Sequence, residues 1–357
     1  MKLFLSGNEA VARGAYEYGV HIAAAYPGTP STEILENIGR YDEIYAQWST
    51  NEKTSLEVAI GASFGGARAL VAMKHVGLNV AADPFFSLAY IGVDGGLVVV
   101  SADDPGMHSS QNEQDNRHYA RHAKVPLLEP ADSQEAKDMV GTALALGEKY
   151  QVPFLLRMTT RVCHSKSVVE CGERTAPEIV PYKKDDLRRV ILPARARARR
   201  QRLEEALGQL EEEAVGSPWN FLVKGEGNIG VVASGIGYQY AREVLPQADF
   251  LKLGFTYPLP RKLIRDFAKN YDRLYVVEEN DPILETEIRN LELGIPVIGK
   301  AIIPGIDELN QERVAAGFRK AGLPVVGEYG SPVDAAQLPP RPPVLCPGCP
   351  HRGVYAM

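Results

Sequence analysis

Between Asn8 and Tyr18 the apolar positions recur at helical spacing, and the run His21–Tyr26 that follows has the near-continuous apolar character of a short buried strand. Pro27–Thr32 is a Gly/Pro turn that opens the next helix. The unit then repeats. A strand at Ile44–Trp48 leads into a helix expected over Glu52–Leu70, and strands are expected at Val71–Lys74 and Leu97–Ser101. A helix over Ser133–Tyr150 precedes a last strand at Phe154–Met158. Alternating βα units with apolar strands predict an α/β fold, a doubly wound parallel sheet covered on both faces, over residues 1–180.

The texture changes near Pro181. Nine basic residues between Lys183 and Arg202 precede Glu204, Glu205, Glu211, Glu212 and Glu213, which predicts a connector helix over residues 181–227. No aromatic residues interleave the arginines, so a solvated helix with basic and acidic halves fits better than a nucleic-acid patch. The βα rhythm resumes with Gly230–Gly235, Asp249–Phe255, Arg273–Glu279 and an apolar strand around Pro296–Ala301, a second and smaller α/β domain over residues 228–328. Five prolines between Pro332 and Pro343 make residues 329–345 a semi-rigid linker, and residues 346–357 read as the start of a third domain.

Composition narrows the class without naming a partner. A net charge of −6 over 357 residues, with 45% hydrophobic and 24% charged residues, is ordinary for a water-soluble chain and gives no global bias toward nucleic acid or an anionic membrane. Leu3, Phe4 and Leu5 are too short an apolar stretch for a secretion signal, and no run reaches the roughly 18 residues of a membrane span, so the expected location is the cytoplasm. Four cysteines, Cys163, Cys171, Cys346 and Cys349, are too few for a disulfide scaffold. The first two read as ordinary residues.

Two segments offer chemistry. Tyr26–Glu33, sequence YPGTPSTE, lies between a strand and a helix, where α/β proteins place ligands; its hydroxyls at Thr29, Ser31 and Thr32 are equally compatible with a helix cap. Asn51–Ala69 is a helix of small residues with an acid, Glu52, at its entrance, where the helix dipole favours an anion. Glu57 lies at a different angle. At the far end, Cys346 and Cys349 form a CxxC spacing suited to zinc, to an iron–sulfur cluster or to a redox dithiol, and two ligands alone do not close a metal site.

The pair YPGTPSTE and NEKTSLEVAIGASFGGARA, in this order, resembles the pyrimidine-binding domain of thiamine-diphosphate-dependent 2-oxoacid:ferredoxin oxidoreductases. LVAMKHVGLNVAADP and SADDPGMHSSQNEQDNR resemble the indolepyruvate branch of that superfamily, its alpha subunit, along nearly the whole chain. The resemblance implies that Glu52, nine residues before the small residue Gly61, is the catalytic glutamate whose carboxyl, hydrogen-bonded to the aminopyrimidine, helps the neighbouring thiazolium carbon lose its proton, and that Val58 and Ile60 lie beside it. It implies a cofactor lining of Pro27, Gly28, Thr29 and the segment Lys74-His75-Val76-Gly77-Leu78-Asn79, with His75 and Asn79 as its site residues; His75 is also readable as a satisfied polar group after a strand. His108, Ser109, Gln111 and Asn112, in the loop Asp103–Arg117, match a segment that approaches substrate or a neighbouring subunit, and a solvated loop is the alternative. By the same resemblance residues 228–328 are a transketolase C-terminal-like domain without catalytic residues, CPGCPHR opens the domain that binds the diphosphate and Mg²⁺, and 4Fe–4S clusters belong to a further C-terminal part. The implied reaction is oxidative decarboxylation of an aryl 2-oxoacid such as indolepyruvate, with coenzyme A as acyl acceptor, ferredoxin as electron acceptor and a beta subunit as partner in a hetero-oligomer. Another oxoacid, or a noncatalytic assembly role, is the alternative.

Overall fold

A strand buried along its whole length, Leu97–Asp103, runs through the middle of the larger sheet in a computed structural model of the chain, which describes residues 1–330, 339, 349 and 351–357. The described chain divides into two compact units, Met1–Val326 and Gly327–Met357. In the second, a short helix spans His351–Tyr355. The linker and Cys346 of the sequence reading lie outside the described residues, apart from a few isolated positions.

In chain order the strands are β1 (Lys2–Ser6), β2 (Ile22–Ala25), β3 (Tyr45–Trp48), β4 (Ala69–Lys74), β5 (Leu97–Asp103), β6 (Leu127–Leu128) and β7 (Phe154–Thr159). There follow β8 (Lys166–Glu170), β9 (Phe221–Val223), β10 (Gly230–Ser234), β11 (Asp249–Leu253), β12 (Phe255–Tyr257), β13 (Leu274–Val277) and β14 (Val297–Ile298). A seven-stranded sheet has the order β12-β6-β7-β5-β4-β2-β3, parallel except where β12 meets β6. A five-stranded sheet has the order β14-β13-β10-β11-β9, and β1 pairs with β8 in an antiparallel ribbon. The fold is therefore α/β with mixed, mainly parallel sheets. Interior strands such as β5 are covered on both faces, and each fully buried Val or Leu in them contributes about 1.5–3 kcal/mol.

Three expectations are corrected. The helix expected to run to Leu70 spans Glu52–Phe64, because Gly65 caps it and Gly66 takes a left-handed φ of +82°, where a Cβ would stand 2.1 Å from the Val180 carbonyl. The run Asp249–Phe255 is not one strand: after β11 the chain crosses over, and β12 joins the other sheet. The connector holds two helices, Asp186–Arg189 and Pro193–Gly216, and its basic half is not simply solvated. Arg188 donates to the Ile91 carbonyl and pairs with Asp94, and Arg199 donates to the carbonyls of Tyr90 and Ile91. These guanidinium groups satisfy the carbonyls at the end of helix Ala82–Ile91.

A buried ionic cluster joins the two larger sheets. Arg117 donates to Asp115 at 2.6 Å, to Glu278 just past β13 at 2.6 Å and to the carbonyl of Glu279 at 2.7 Å. Arg157 in β7 reaches Asp103 at 2.6 Å, Glu129 at 2.8 Å and Asn280 at 3.0 Å. Burial pushes the carboxyls of Asp103, Glu278 and Glu279 up. It also pushes the Lys300 amine, which donates to the Glu278 carbonyl at 2.6 Å, down to about 8. The unfolded amine holds its proton up to about 10.5 while the folded one releases it near 8, so the unfolded state binds more protons in that window and stability rises with pH across it. The parent is expected to gain roughly 3 kcal/mol relative to Lys300→Met between those two pH values in urea titrations; a constant difference would contradict this assignment.

Candidate active site

Because β2, β3, β4, β5 and β7 are parallel, their carboxyl ends form one row, and every segment singled out in the first half of the sequence leaves from it. The turn 26–32 follows β2, helix Glu52–Phe64 follows β3, the short helix His75–Val80 follows β4, and the loop 104–116 follows β5. This is the edge at which open α/β sheets place ligands.

Glu52 is the first residue of its helix, capped by Asn51, whose side chain accepts from the Thr54 amide at 2.9 Å. The Glu52 side chain is half-buried and, among the described residues, its carboxyl makes no hydrogen bond or ion pair. It lies against Gly77 of the neighbouring helix: a Cβ built at Gly77 would stand 2.6 Å from both Cγ and Oε1 of Glu52. Val58 is not part of that wall. Six positions along a 3.6-residue turn place it on another side of the helix, where it is 37% exposed beside exposed Glu57, and a Cβ at Gly61 would meet open space. Ile60 is half-buried.

The turn YPGTPSTE uses most of its polar groups on itself. The Ser31 hydroxyl donates to the Gly28 carbonyl at 2.9 Å rather than capping the helix, and the Gly28 amide donates to the Thr32 hydroxyl at 2.8 Å. Buried Asn8 holds the turn from below, donating to the Pro30 carbonyl at 2.7 Å and to Glu33 at 3.0 Å. Thr29 and Pro27 are left exposed, and Gly28 rests on the stem of Lys74, whose ammonium burial pushes toward neutrality.

His75 is fully buried. Its Nε2 lies 3.1 Å from the Asn112 side-chain oxygen and 3.2 Å from the Asn112 carbonyl, while Nδ1 has no hydrogen-bond partner. Asn79 exchanges hydrogen bonds with Gln114 and accepts from the Tyr119 hydroxyl at 2.8 Å. The loop 104–116 is thus fastened rather than freely solvated. The Ser109 amide donates to Asp104, the Ser109 carbonyl accepts from Lys74 at 2.7 Å, and Gly106 donates to Glu113. His108 pairs with Glu308 at 3.4 Å across a groove also lined by Thr160, Arg161, His164 and Ser165, and Gln111 is exposed.

The structure therefore gathers Glu52, Pro27, Gly28, Thr29, His75, Asn79 and the loop carrying His108, Ser109, Gln111 and Asn112 along one edge. It adds Asn8 and Gln114, which the sequence does not single out, and places Lys74 and Gly77, members of the segment 74–79 that the resemblance implies for the cofactor lining, on the same edge. Cys163 is buried and its thiol is pushed up by burial, which removes it from nucleophile or ligand chemistry. Cys349 is partly buried, and among the described residues no group of three or more His, Cys, Asp or Glu side chains is placed to hold a metal ion. No described helix is long and apolar enough to cross a membrane.

Residues 13–202 match the family described as pyruvate flavodoxin/ferredoxin oxidoreductase, thiamine diphosphate-binding. The chain belongs to this family. It is 45% identical over 376 aligned residues to the indolepyruvate oxidoreductase subunit IorA of Archaeoglobus fulgidus and 46% identical over 375 to that of Methanothermobacter thermautotrophicus, in each case over 99% of this chain and 60% of the relative. The chain thus spans about three fifths of the length of these two curated relatives. The 2-oxoglutarate synthase subunit KorA of Methanocaldococcus jannaschii is 32% identical over 200 residues, 51% of this chain and 54% of that one. In fold, the chain resembles the 2-oxoglutarate:ferredoxin oxidoreductase of Magnetococcus marinus, with TM-score 0.70, 17% identity and coverage of 89% of this chain and 65% of that one. It also resembles a split-gene transketolase solved as an inactive beta4 tetramer, with TM-score 0.60, 16% identity and coverage of 89% and 98%.

Proposed function

We propose that this chain holds the pyrimidine half of thiamine diphosphate for an oxidoreductase that decarboxylates aryl 2-oxoacids, indolepyruvate first among them, and passes the electrons to ferredoxin and the acyl group to coenzyme A. One observation carries the reading: in the family's thiamine-diphosphate-binding segment, a half-buried carboxyl stands at a helix entrance without a hydrogen-bond or ion-pair partner among the described residues. A carboxyl that its own fold does not tie up stays open to a ligand donor or acceptor arriving from the solvent side. The residues fit the pyrimidine. Glu52 would hold a proton at the ring nitrogen, with Gly77 leaving room for its carboxyl, and Thr29 and the surface of turn 27–29 would line the ring.

When bound, thiamine diphosphate supplies a carbon nucleophile that adds to the keto carbon of the oxoacid and takes up the electron pair as carbon dioxide leaves. Glu52 sets the proton inventory at the cofactor ring. Loop 104–116, pinned through His75 and Asn79, presents His108, Ser109, Gln111 and Asn112 to substrate or to a neighbouring subunit. On this reading the metal, the diphosphate and the 4Fe–4S clusters fall to other parts of the assembly, with the CxxC of Cys346 and Cys349 proposed as ligands for one of them. A beta subunit, a hetero-oligomeric enzyme and a cytoplasmic location complete the proposal. The indolepyruvate assignment is supported by the names of the relatives at 45% and 46% identity.

The test uses the complete enzyme with its companion subunit and added thiamine diphosphate, following ferredoxin reduction with indolepyruvate, pyruvate, branched-chain oxoacids and 2-oxoglutarate. Indolepyruvate is expected to lead in kcat/KM by about tenfold or more. A lead by 2-oxoglutarate would reassign the substrate. Absence of any cofactor-dependent spectral change with every oxoacid would leave a noncatalytic subunit instead.

A further inference from the structure

Resting on the reading of Glu52 above, we propose that Gly77 is a positioning residue, whose bare Cα provides the space into which the Glu52 carboxyl settles. The three atoms nearest to a Cβ built at residue 77 all belong to Glu52: Cγ and Oε1 at 2.6 Å and Cδ at 2.9 Å. Such distances are well inside van der Waals contact, so one side must move.

The backbone side is fixed. The carbonyl of His75, at the start of the same helix, accepts from Asn116 at 3.0 Å and from Gln114 at 3.3 Å. Asn116 is fully buried and donates to the Ser101 hydroxyl of β5 at 2.7 Å, while its amide is held by Asp103 at 3.0 Å. His75 is held again through Asn112, and Asn79 through Gln114 and Tyr119. The carboxyl side is loose, since Glu52 ends in a flexible chain that makes no hydrogen bond or ion pair among the described residues. A methyl at 77 therefore displaces the carboxyl and leaves the helix where it is.

Backbone conformation does not require glycine here. Gly77 lies within helix His75–Val80 and has no left-handed φ, in contrast to Gly66, whose φ of +82° and contact with a carbonyl serve the fold. What glycine supplies at 77 is room for the catalytic acid.

The experiment is Gly77→Ala in the complete enzyme, alone and combined with Glu52→Ala. In the cofactor-loaded enzyme, Gly77→Ala is expected to slow hydrogen–deuterium exchange at the reactive cofactor carbon, and kcat with it, by about 10²-fold, the cost of misplacing a reacting group by an ångström. Thermal midpoints of the assembled protein without cofactor provide an independent readout. With Glu52 present, Gly77→Ala is expected to give no rise. In the Glu52→Ala background, where nothing is left to displace, the better helix former is expected to raise the midpoint by about 2 °C. An equal fall in both backgrounds would mean that the fold itself needs glycine, and the proposal would be overturned. If Glu52→Ala stops exchange while Gly77→Ala exchanges at the parent rate, the Gly77 assignment alone falls. If Glu52→Ala itself exchanges like the parent, the functional reading falls, and this inference with it.

Discussion

Glu52→Ala, made in the complete enzyme, is expected to lower oxoacid-dependent ferredoxin reduction by about 10²–10⁴-fold, the range contributed by a positioned proton donor or acceptor. Its effect on folding is expected to be small. Glu52 makes no hydrogen bond or ion pair among the described residues, and Asn51 still caps the helix when Glu52 is gone, so the substitution loses about 0.3–1 kcal/mol of favourable charge–dipole interaction at most. Circular dichroism and the thermal midpoint should stay near the parent while kcat collapses. Glu52→Gln should behave like alanine if the proton matters, because an amide keeps the shape but does not exchange a proton at the ring nitrogen. Retention of most of the activity by either variant would remove Glu52 from the chemistry.

The second large effect is on stability. Arg117→Met is expected to cost about 3–5 kcal/mol, measured as a lower midpoint in urea at neutral pH, because it takes from buried Asp115 and Glu278 the cation hydrogen-bonded to both. Arg117 is 1% exposed and gives six hydrogen bonds from Nη1, Nη2 and Nε to Asp115, Glu278 and the carbonyls of Glu279 and Asp281. Burial works to raise the Asp115 pKa, but the charges of Arg117 and Arg157 overcome it and hold the carboxyl well below the ordinary range. A shift below about 1 kcal/mol would mean that solvent reaches the cluster after all, as it does for surface ion pairs.

Much of the site edge was legible because each candidate motif follows an apolar run, and apolar runs are where parallel strands lie. Helix Ser133–Tyr150 was readable to the residue, since Asp132 caps it and Gln151 closes it in a left-handed conformation. The end of helix Glu52–Phe64 is not legible, because alanine and glycine carry no periodicity and the stop depends on the φ of Gly66. Strand β1 went unread because Leu3 and Leu5 alternate with exposed Lys2 and Phe4 on a ribbon paired with residues 166–170, a partner that local pattern does not reveal. Arg157 and Lys252 did carry a signal: a cation inside an otherwise apolar strand demands a buried anion, here Asp103 and Glu129 for one and Glu135 at 2.6 Å for the other. The resemblance places Gly77 in the segment lining the cofactor but gives no sign of its contact with Glu52. Its significance depends on which side chain arrives from another helix, and one sequence does not state that.

The crossover between β11 and β12 bears on how this chain can be cut. Residues 255–257 border β6, so a fragment that stops at the connector would lose that border strand, and Arg117 and Arg157 would lose Glu278 and Asn280. An uncovered sheet margin invites strand-to-strand sticking between molecules. A soluble excised piece is therefore best sought by keeping the chain through residue 326, and homologue chimeras should exchange both sheets together.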